Sequence, residues 1–234
     1  MAKHRITAAK KSIARAALGA TVLASGLGVS AGAAQADTAT GVAAATAARH
    51  PVTAVAAHKA GTDDRTETKI SATAEQVLAL AKSQVGTSEN ASGGGTKYQD
   101  WYAASQRAGE TVARDGGNRN AYLNAAWCSM FVSWVGEQTG ARPQVGWDAY
   151  TVSHAKWFAA NDRWGTEARP GAVVFFSWGG GKSLSDIQHV GFVVKDNKNG
   201  TISTVEGNTG NGKVEERIRP KSQVVGYGYP EYAA

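Results

Sequence analysis

Apolar residues first fall into a regular pattern after residue 71. Val77, Leu78, Ala81 and Val85 share one face of a helix, Thr73 and Gln76 are spaced as a capping box at its start, and Gly86 can stop it. Residues 88–95 read as a loop, and a second helix is predicted from Lys97 through Trp101. In 127–137, Trp127, Met130, Phe131, Trp134 and Val135 form one helical stripe that Gly140 closes, so Cys128 falls in the first turn. His154, within Ser-His-Ala-Lys-Trp-Phe, reads as a residue on a helix surface. After Pro170 the period changes. Residues 172–178, 189–195 and 201–208 read as strands, with Asp-Asn-Lys-Asn-Gly at 196–200 as the turn between the last two. Further short strands are predicted near 213–219 and 223–229. Helices followed by consecutive hairpins predict an α+β fold with an antiparallel sheet.

The upstream segments differ in kind. Residues 1–15 carry Lys3, Arg5, Lys10, Lys11 and Arg15 and no acid; an apolar, small-residue stretch follows, and Ala34-Gln35-Ala36 fits the small-x-small site of a signal peptidase. This is the layout of a secretory signal peptide over 1–36. A membrane anchor is the competing reading, but the stretch is rich in Gly, Ser and Ala and ends in a cleavable site. No twin-arginine pair or cysteine at the cleavage site points to another export route or a lipid anchor. Residues 37–70 read as a flexible linker: half of the 34 are Ala or Thr, with no Leu and no aromatic residue, too little apolar surface to offset the entropy of ordering. All 19 aromatic residues lie between Tyr98 and Tyr232, which predicts one domain over 71–234, long enough to bury a core.

Charge adds little once the signal is set aside. The chain is formally +6, and five positive charges lie in its first 15 residues, leaving +1 for the rest. A nucleic-acid partner is therefore not expected. No later segment has the roughly 20 apolar residues of a membrane span, so no membrane anchor is expected after signal cleavage; the chain is expected to be a monomer.

Cys128 is the sole cysteine, which excludes an internal disulfide. A helix start favours the thiolate form of a cysteine, and a nearby histidine can take its proton. Of the two histidines in the domain, His154 and His189, the second opens a strand next to the glycine-rich loop 179–181, a rigid seat suited to a general base. Glu206 and Asn208 are two apart on the next strand and so face one side; either can orient the imidazole if that side is His189's. Direct opposition of His189 and Glu206 would pair Val194 with Thr201 and Lys195 with Gly200. A connecting loop of odd length would instead turn Glu206 and Asn208 to the far face, unless a β-bulge restores the sense. One cysteine and two separated histidines do not make a zinc site, and no cofactor is expected.

Trp-Cys-x-x-Phe-Val-Ser-Trp at 127–134, His-Val-Gly-Phe-Val-Val at 189–194, Glu-Gly-Asn at 206–208 and Gly-Thr-Lys-Tyr-x-x-Trp-Tyr at 95–102 resemble the CHAP family of cysteine, histidine-dependent amidohydrolases/peptidases. The resemblance spans roughly 75–230. It implies a papain-like fold, cleavage of peptidoglycan amide bonds, Cys128 as nucleophile, His189 as base, and Glu206 and Asn208 as the polar residues behind the imidazole. The nearest enzymatic rival, an NlpC-type peptidase, usually shows Asp-Cys-Ser, where this chain has Trp-Cys-Ser. A secreted, non-catalytic wall-binding or scaffold protein is the reading from another class. Calcium-binding members carry acidic residues just before the cysteine; residues 118–127 hold no carboxylate, so calcium is not expected. No separate wall-binding module is visible, and targeting would fall to the catalytic domain or to simple diffusion.

Overall fold

The computed structural model describes residues 69–234. The expected signal segment at 1–36 and nearly all of the expected linker at 37–70 lie outside the described residues. Three helices come first: α1 (Ala74–Ser83), α2 (Lys97–Ala104) and α3 (Gln106–Asp115). At the start of α1, Thr73 Oγ1 accepts from Gln76 N at 3.2 Å, and Gln76 Oε1 accepts from Thr73 N at 2.9 Å. Val77 and Ala81 point into the core. Val85 does not join them: the helix ends at Ser83, and Val85 is exposed. A second capping box, Thr96 with Gln99, opens α2, which runs three residues beyond the expected Trp101. The sequence pattern did not mark α3, whose polar composition leaves only Ala108 and Thr111 buried.

α4 (Cys128–Gln138) is the central helix, with eight of its residues buried. A short turn, α5 (Arg142–Val145), and α6 (Thr151–Ala160) follow it. α6 corrects one expectation. His154 is not on a helix surface but fully buried, with Ala155 and Phe158 beside it on the inward stripe. A histidine counts as polar in a periodicity reading, which conceals a stripe of which it is a member.

The strands are β1 (Trp164–Gly165), β2 (Val173–Phe176), β3 (His189–Asp196), β4 (Thr201–Thr209), β5 (Lys213–Pro220) and β6 (Val224–Gly228). Among the described residues they form one antiparallel sheet in the order β1-β6-β2-β3-β4-β5. Only the two-residue β1 lies outside the predicted set. The expected α+β class is observed, with helices against one face of the sheet. Val173, Phe175, Val190, Phe192 and Val205 join the helices in the main core, while Val174, Phe176, Val193 and Ile202 form a smaller cluster on the other face. Among the described residues no helix is long and apolar enough to cross a membrane.

Candidate active site

Cys128 is the first residue of α4, and Trp127 before it supplies no side-chain cap. The backbone N–H groups of that first turn are thus left without the partner an Asp or Ser would bring. The approach to Cys128 is tied down from three sides. Trp127 donates from Nε1 to Glu89 Oε2 at 2.8 Å. The buried Gln99 amide donates to the carbonyls of Gly93 and Ala125, both at 2.9 Å. Ser133 donates to the Asp148 carbonyl at 3.0 Å, and the Ser129 hydroxyl lies between that carbonyl at 2.8 Å and His154 Nδ1 at 2.9 Å, its hydrogen shared between the two. The Asp148 carboxylate is itself clamped by Arg107 at 2.9 Å and Arg114 at 2.8 Å. Burial opposes its ionisation, yet Arg114 and the Tyr150 N–H hold Asp148 below the usual carboxylate range.

His189 is the first residue of β3 and pairs with Phe176, so the two share a sheet face. The register beyond it differs from direct opposition of His189 and Glu206. Asp196 pairs with Ile202 and Lys195 with Ser203, leaving the odd set 197–201 in the connection; past Val194 the pairs become Val193–Thr204 and Phe192–Val205. Val194 is the extra residue of a β-bulge, and the pairs Val194–Thr201 and Lys195–Gly200 are not formed. The bulge restores the sense an odd connection would have reversed. One step further along this register, Gly191 lies opposite Glu206, and His189 is its diagonal neighbour on the same face. Gly191 makes the diagonal reachable: a Cβ there would stand 2.7 Å from Glu206 Cγ. With that space open, Glu206 Oε2 lies 2.9 Å from His189 Nε2. This leaves Nδ1 free to face Cys128, the other neighbour that raises the pKa of the ring.

Of the two residues expected behind the imidazole, Glu206 is the one against it. Asn208 has a left-handed backbone with φ 53°, in the stretch where the β4–β5 register shifts between Glu206 and Thr209. The alternation that put 206 and 208 on one side is interrupted there, and no hydrogen bond among the described residues joins Asn208 to His189.

Three neighbours were not anticipated. Arg219, on β5, donates from Nε to Glu206 Oε1 at 2.9 Å, from Nη2 to Oε2, and from Nη2 to Thr209 Oγ1 at 2.9 Å. Thr204 Oγ1 adds a bond to Glu206 Oε1 at 2.6 Å. Trp178 stacks on Phe176 with centroids 5.7 Å apart, lies 5.3 Å from the His189 ring, and carries the Arg219 guanidinium 4.9 Å from its own centroid. It roofs an ion pair whose members are nearly or wholly buried. Glu215, Arg217 and Arg219 alternate along β5, and Glu215 pairs with Glu206, so the charged face of β5 is Glu206's face.

The electrostatics follow from these contacts. Burial of the His189 ring works against its protonation, but the bonds to Cys128 and Glu206 outweigh it and raise the pKa from 6.5 to about 9. Burial likewise works against a charged Glu206, but Arg219, His189 and Thr204 bring it down from 4.5 to about 2. The arrangement suits a thiolate–imidazolium pair backed by a fixed carboxylate: a nucleophile, a proton carrier and an orienting anion in sequence.

Residues 117–208 match the family model described as the CHAP domain. No curated protein and no solved structure gives a significant match to the chain. The matched segment holds Cys128, His189, Glu206 and Asn208; Arg219 lies beyond it.

Proposed function

From the premise that residues 117–208 are a CHAP domain, we propose that the protein is a secreted cysteine hydrolase of amide bonds in the peptidoglycan stem peptide. The domain itself implies hydrolysis of the amidase or peptidase type, acting on peptidoglycan. The finer reading rests on one observation: the chain His189–Glu206–Arg219, in which each member bonds to the next, with Cys128 near enough to the ring to raise its pKa.

In this reading the Cys128 sulfur attacks the scissile carbonyl carbon, and its proton resides on His189. The negative oxygen of the tetrahedral intermediate is held by the uncapped N–H of Cys128 and a second donor. The imidazolium then protonates the leaving nitrogen, the C–N bond breaks, and a thioester remains on Cys128. Water, deprotonated by His189, releases the acyl group and restores the thiol. Glu206 keeps the ring's Nδ1 turned to the sulfur and stabilises its charge, and Arg219 keeps Glu206 in place. The basic, small-residue segment 1–36 supports export by cleavage before Asp37, which N-terminal sequencing of secreted protein tests.

Cys128→Ser and Cys128→Ala are expected to abolish lysis of purified cell walls in a zymogram while circular dichroism and Tm stay close to wild type. Near-wild-type lysis by either folded variant rules out the assignment.

A further inference from the structure

Gln188 stands directly before His189, yet its side chain turns the other way. It is exposed, and its backbone N–H donates to the Phe176 carbonyl at 2.8 Å, which carries the β2–β3 ladder one step past His189. Successive residues of a strand point to opposite faces. His189 shares its face with Phe176, on the side of the sheet away from the helices, whereas Val190 faces the helices and joins the main core. Gln188, one step before His189, has the sense of Val190 and turns to the helix side, where α4 begins. It borders the same cavity of about 180 Å³ as Cys128, and also a wider space of about 410 Å³ beside Ser177 and Asp186. The imidazole and the Gln188 carboxamide thus reach the Cys128 cleft from the two faces of the sheet.

The carboxamide is fixed at one end. Trp178 N donates to Gln188 Oε1 at 2.9 Å. A backbone N–H can only donate, so the atom facing it is the oxygen, and Nε2 is turned away from Trp178. Among the described residues nothing accepts from Nε2. Its two N–H groups are therefore held in one plane, before any ligand arrives, at the mouth of the cleft. The surroundings favour a neutral acceptor for them. No charged side chain lines the Cys128 cavity, and Asp186 beside the wider space repels an anion. Backbone carbonyls of a stem peptide are such acceptors. A peptide with its scissile carbonyl at Cys128 extends into the spaces that Gln188 borders, whichever of them takes the acyl part.

We infer that Gln188 is a substrate-binding residue whose Nε2–H donates to a backbone carbonyl oxygen of the bound stem peptide. This rests on the hydrolase reading above and adds to it a contact that holds the peptide in place before reaction.

The test uses the full chain and a soluble synthetic stem peptide, with the cleaved bond identified by mass spectrometry. Gln188→Glu keeps an oxygen for the Trp178 N–H and removes the donor; Gln188→Met removes both at nearly the same length. Each is expected to raise KM on the order of tenfold, the worth of one hydrogen bond left without its partner. kcat should stay within a factor of about two, as for a contact made equally in the ground and transition states. A role confined to holding Trp178 gives a different pattern: Gln188→Glu matches wild type and only Gln188→Met is impaired. That pattern overturns the inference, and so does a loss confined to kcat. Binding supplies the second arm. In the Cys128→Ala protein, the Gln188 side-chain NH₂ signals should move in an NMR titration with the peptide, and adding Gln188→Glu should weaken Kd by the same factor. NH₂ signals that stay fixed while those around residue 128 shift contradict the contact. Binding through Gln188 without any cleavage by the wild type removes the hydrolase reading and leaves the contact standing, whereas no binding at all removes the contact.

Discussion

The domain holds two buried histidines, and they sit in opposite electrostatic states. His154 donates from Nε2 to the Val145 carbonyl at 2.7 Å, faces the Ser129 hydroxyl with Nδ1 at 2.9 Å, and stacks on Phe158 with centroids 5.7 Å apart. Burial pushes its pKa below 6.5, and the carbonyl bond does not make up the difference. His189 is buried almost as deeply, yet its pKa rises to about 9. The difference is what the second nitrogen and its surroundings offer. A hydroxyl and a carbonyl satisfy a neutral ring; a thiol on one side and a carboxylate on the other favour a charged one. Burial is therefore no guide to which histidine carries chemistry. The partners decide, and both rings brace the same helix start: His154 through Ser129 and His189 through Cys128.

The comparison breaks most severely if Glu206 loses its charge. Glu206→Gln should make His189 resemble His154, with its pKa lowered. kcat/KM for wall hydrolysis should fall on the order of 10²–10⁴-fold, as for loss of a residue that orients and charges a catalytic base. The variant also leaves Arg219 without its buried anion and should be about 3 kcal/mol less stable. The pH dependence carries the sign of each shift. His189's pKa is raised from 6.5 to about 9, so its contribution to stability is full below 6.5 and is lost as pH rises through 9. Glu206's is lowered from 4.5 to about 2, so its contribution is full above 4.5 and is lost as pH falls through 2. The pair thus stabilises most between 4.5 and 6.5. The alkaline limb of the wild-type activity profile should lie near 9 and move to lower pH in Glu206→Gln. Urea denaturation across pH and a kcat/KM profile check both statements.

A smaller effect comes from the space rather than the charge. Gly191→Ala places a methyl where Glu206 Cγ and the Val205 carbonyl oxygen now stand 2.7 and 2.9 Å from a built Cβ. The carboxylate should be displaced from His189. kcat/KM is expected to fall by about 10–100-fold, the scale of an ångström's misplacement, with a stability loss of about 1–3 kcal/mol. Smallest of the three in activity is His154→Gln. It removes bonds that hold α4 but touches no reacting group, so the expected cost is about 1–3 kcal/mol in stability. kcat/KM per folded molecule should stay within a factor of a few. A collapse of activity in a folded His154→Gln would mean that the two rings do not divide the work as described.

Much of this site was legible in the sequence because its parts are local. The Cys128 helix has its own apolar stripe, the Thr73–Gln76 box has a fixed spacing, and the Asp-Asn-Lys-Asn-Gly turn fixes where β3 ends. The rest depends on contacts between distant elements. His154's burial is set by α6 packing beneath α4. Arg219 reads as an ordinary solvated strand residue until the β4–β5 register brings Ile202 opposite it and Glu206 onto its face. The bulge at Val194 illustrates the boundary: the pattern identified the two registers that would work, but which residue is left unpaired is settled by packing across β3 and β4. The different fates of Glu206 and Asn208 likewise hinge on one left-handed residue in β4, for which no turn motif gave warning.

The most direct measurement of the central claim is an NMR pH titration of the imidazole nitrogens in the folded protein, with His154→Gln and His189→Gln spectra to assign the two buried rings. The account predicts that the His189 ring is protonated at neutral pH with Nε2–H engaged by Glu206, and titrates near 9. His154 should remain a neutral Nε2–H tautomer to well below 6.5. Both rings titrating together near 6.5, or His189 found neutral at pH 7 while Cys128 and Glu206 are intact, would contradict it.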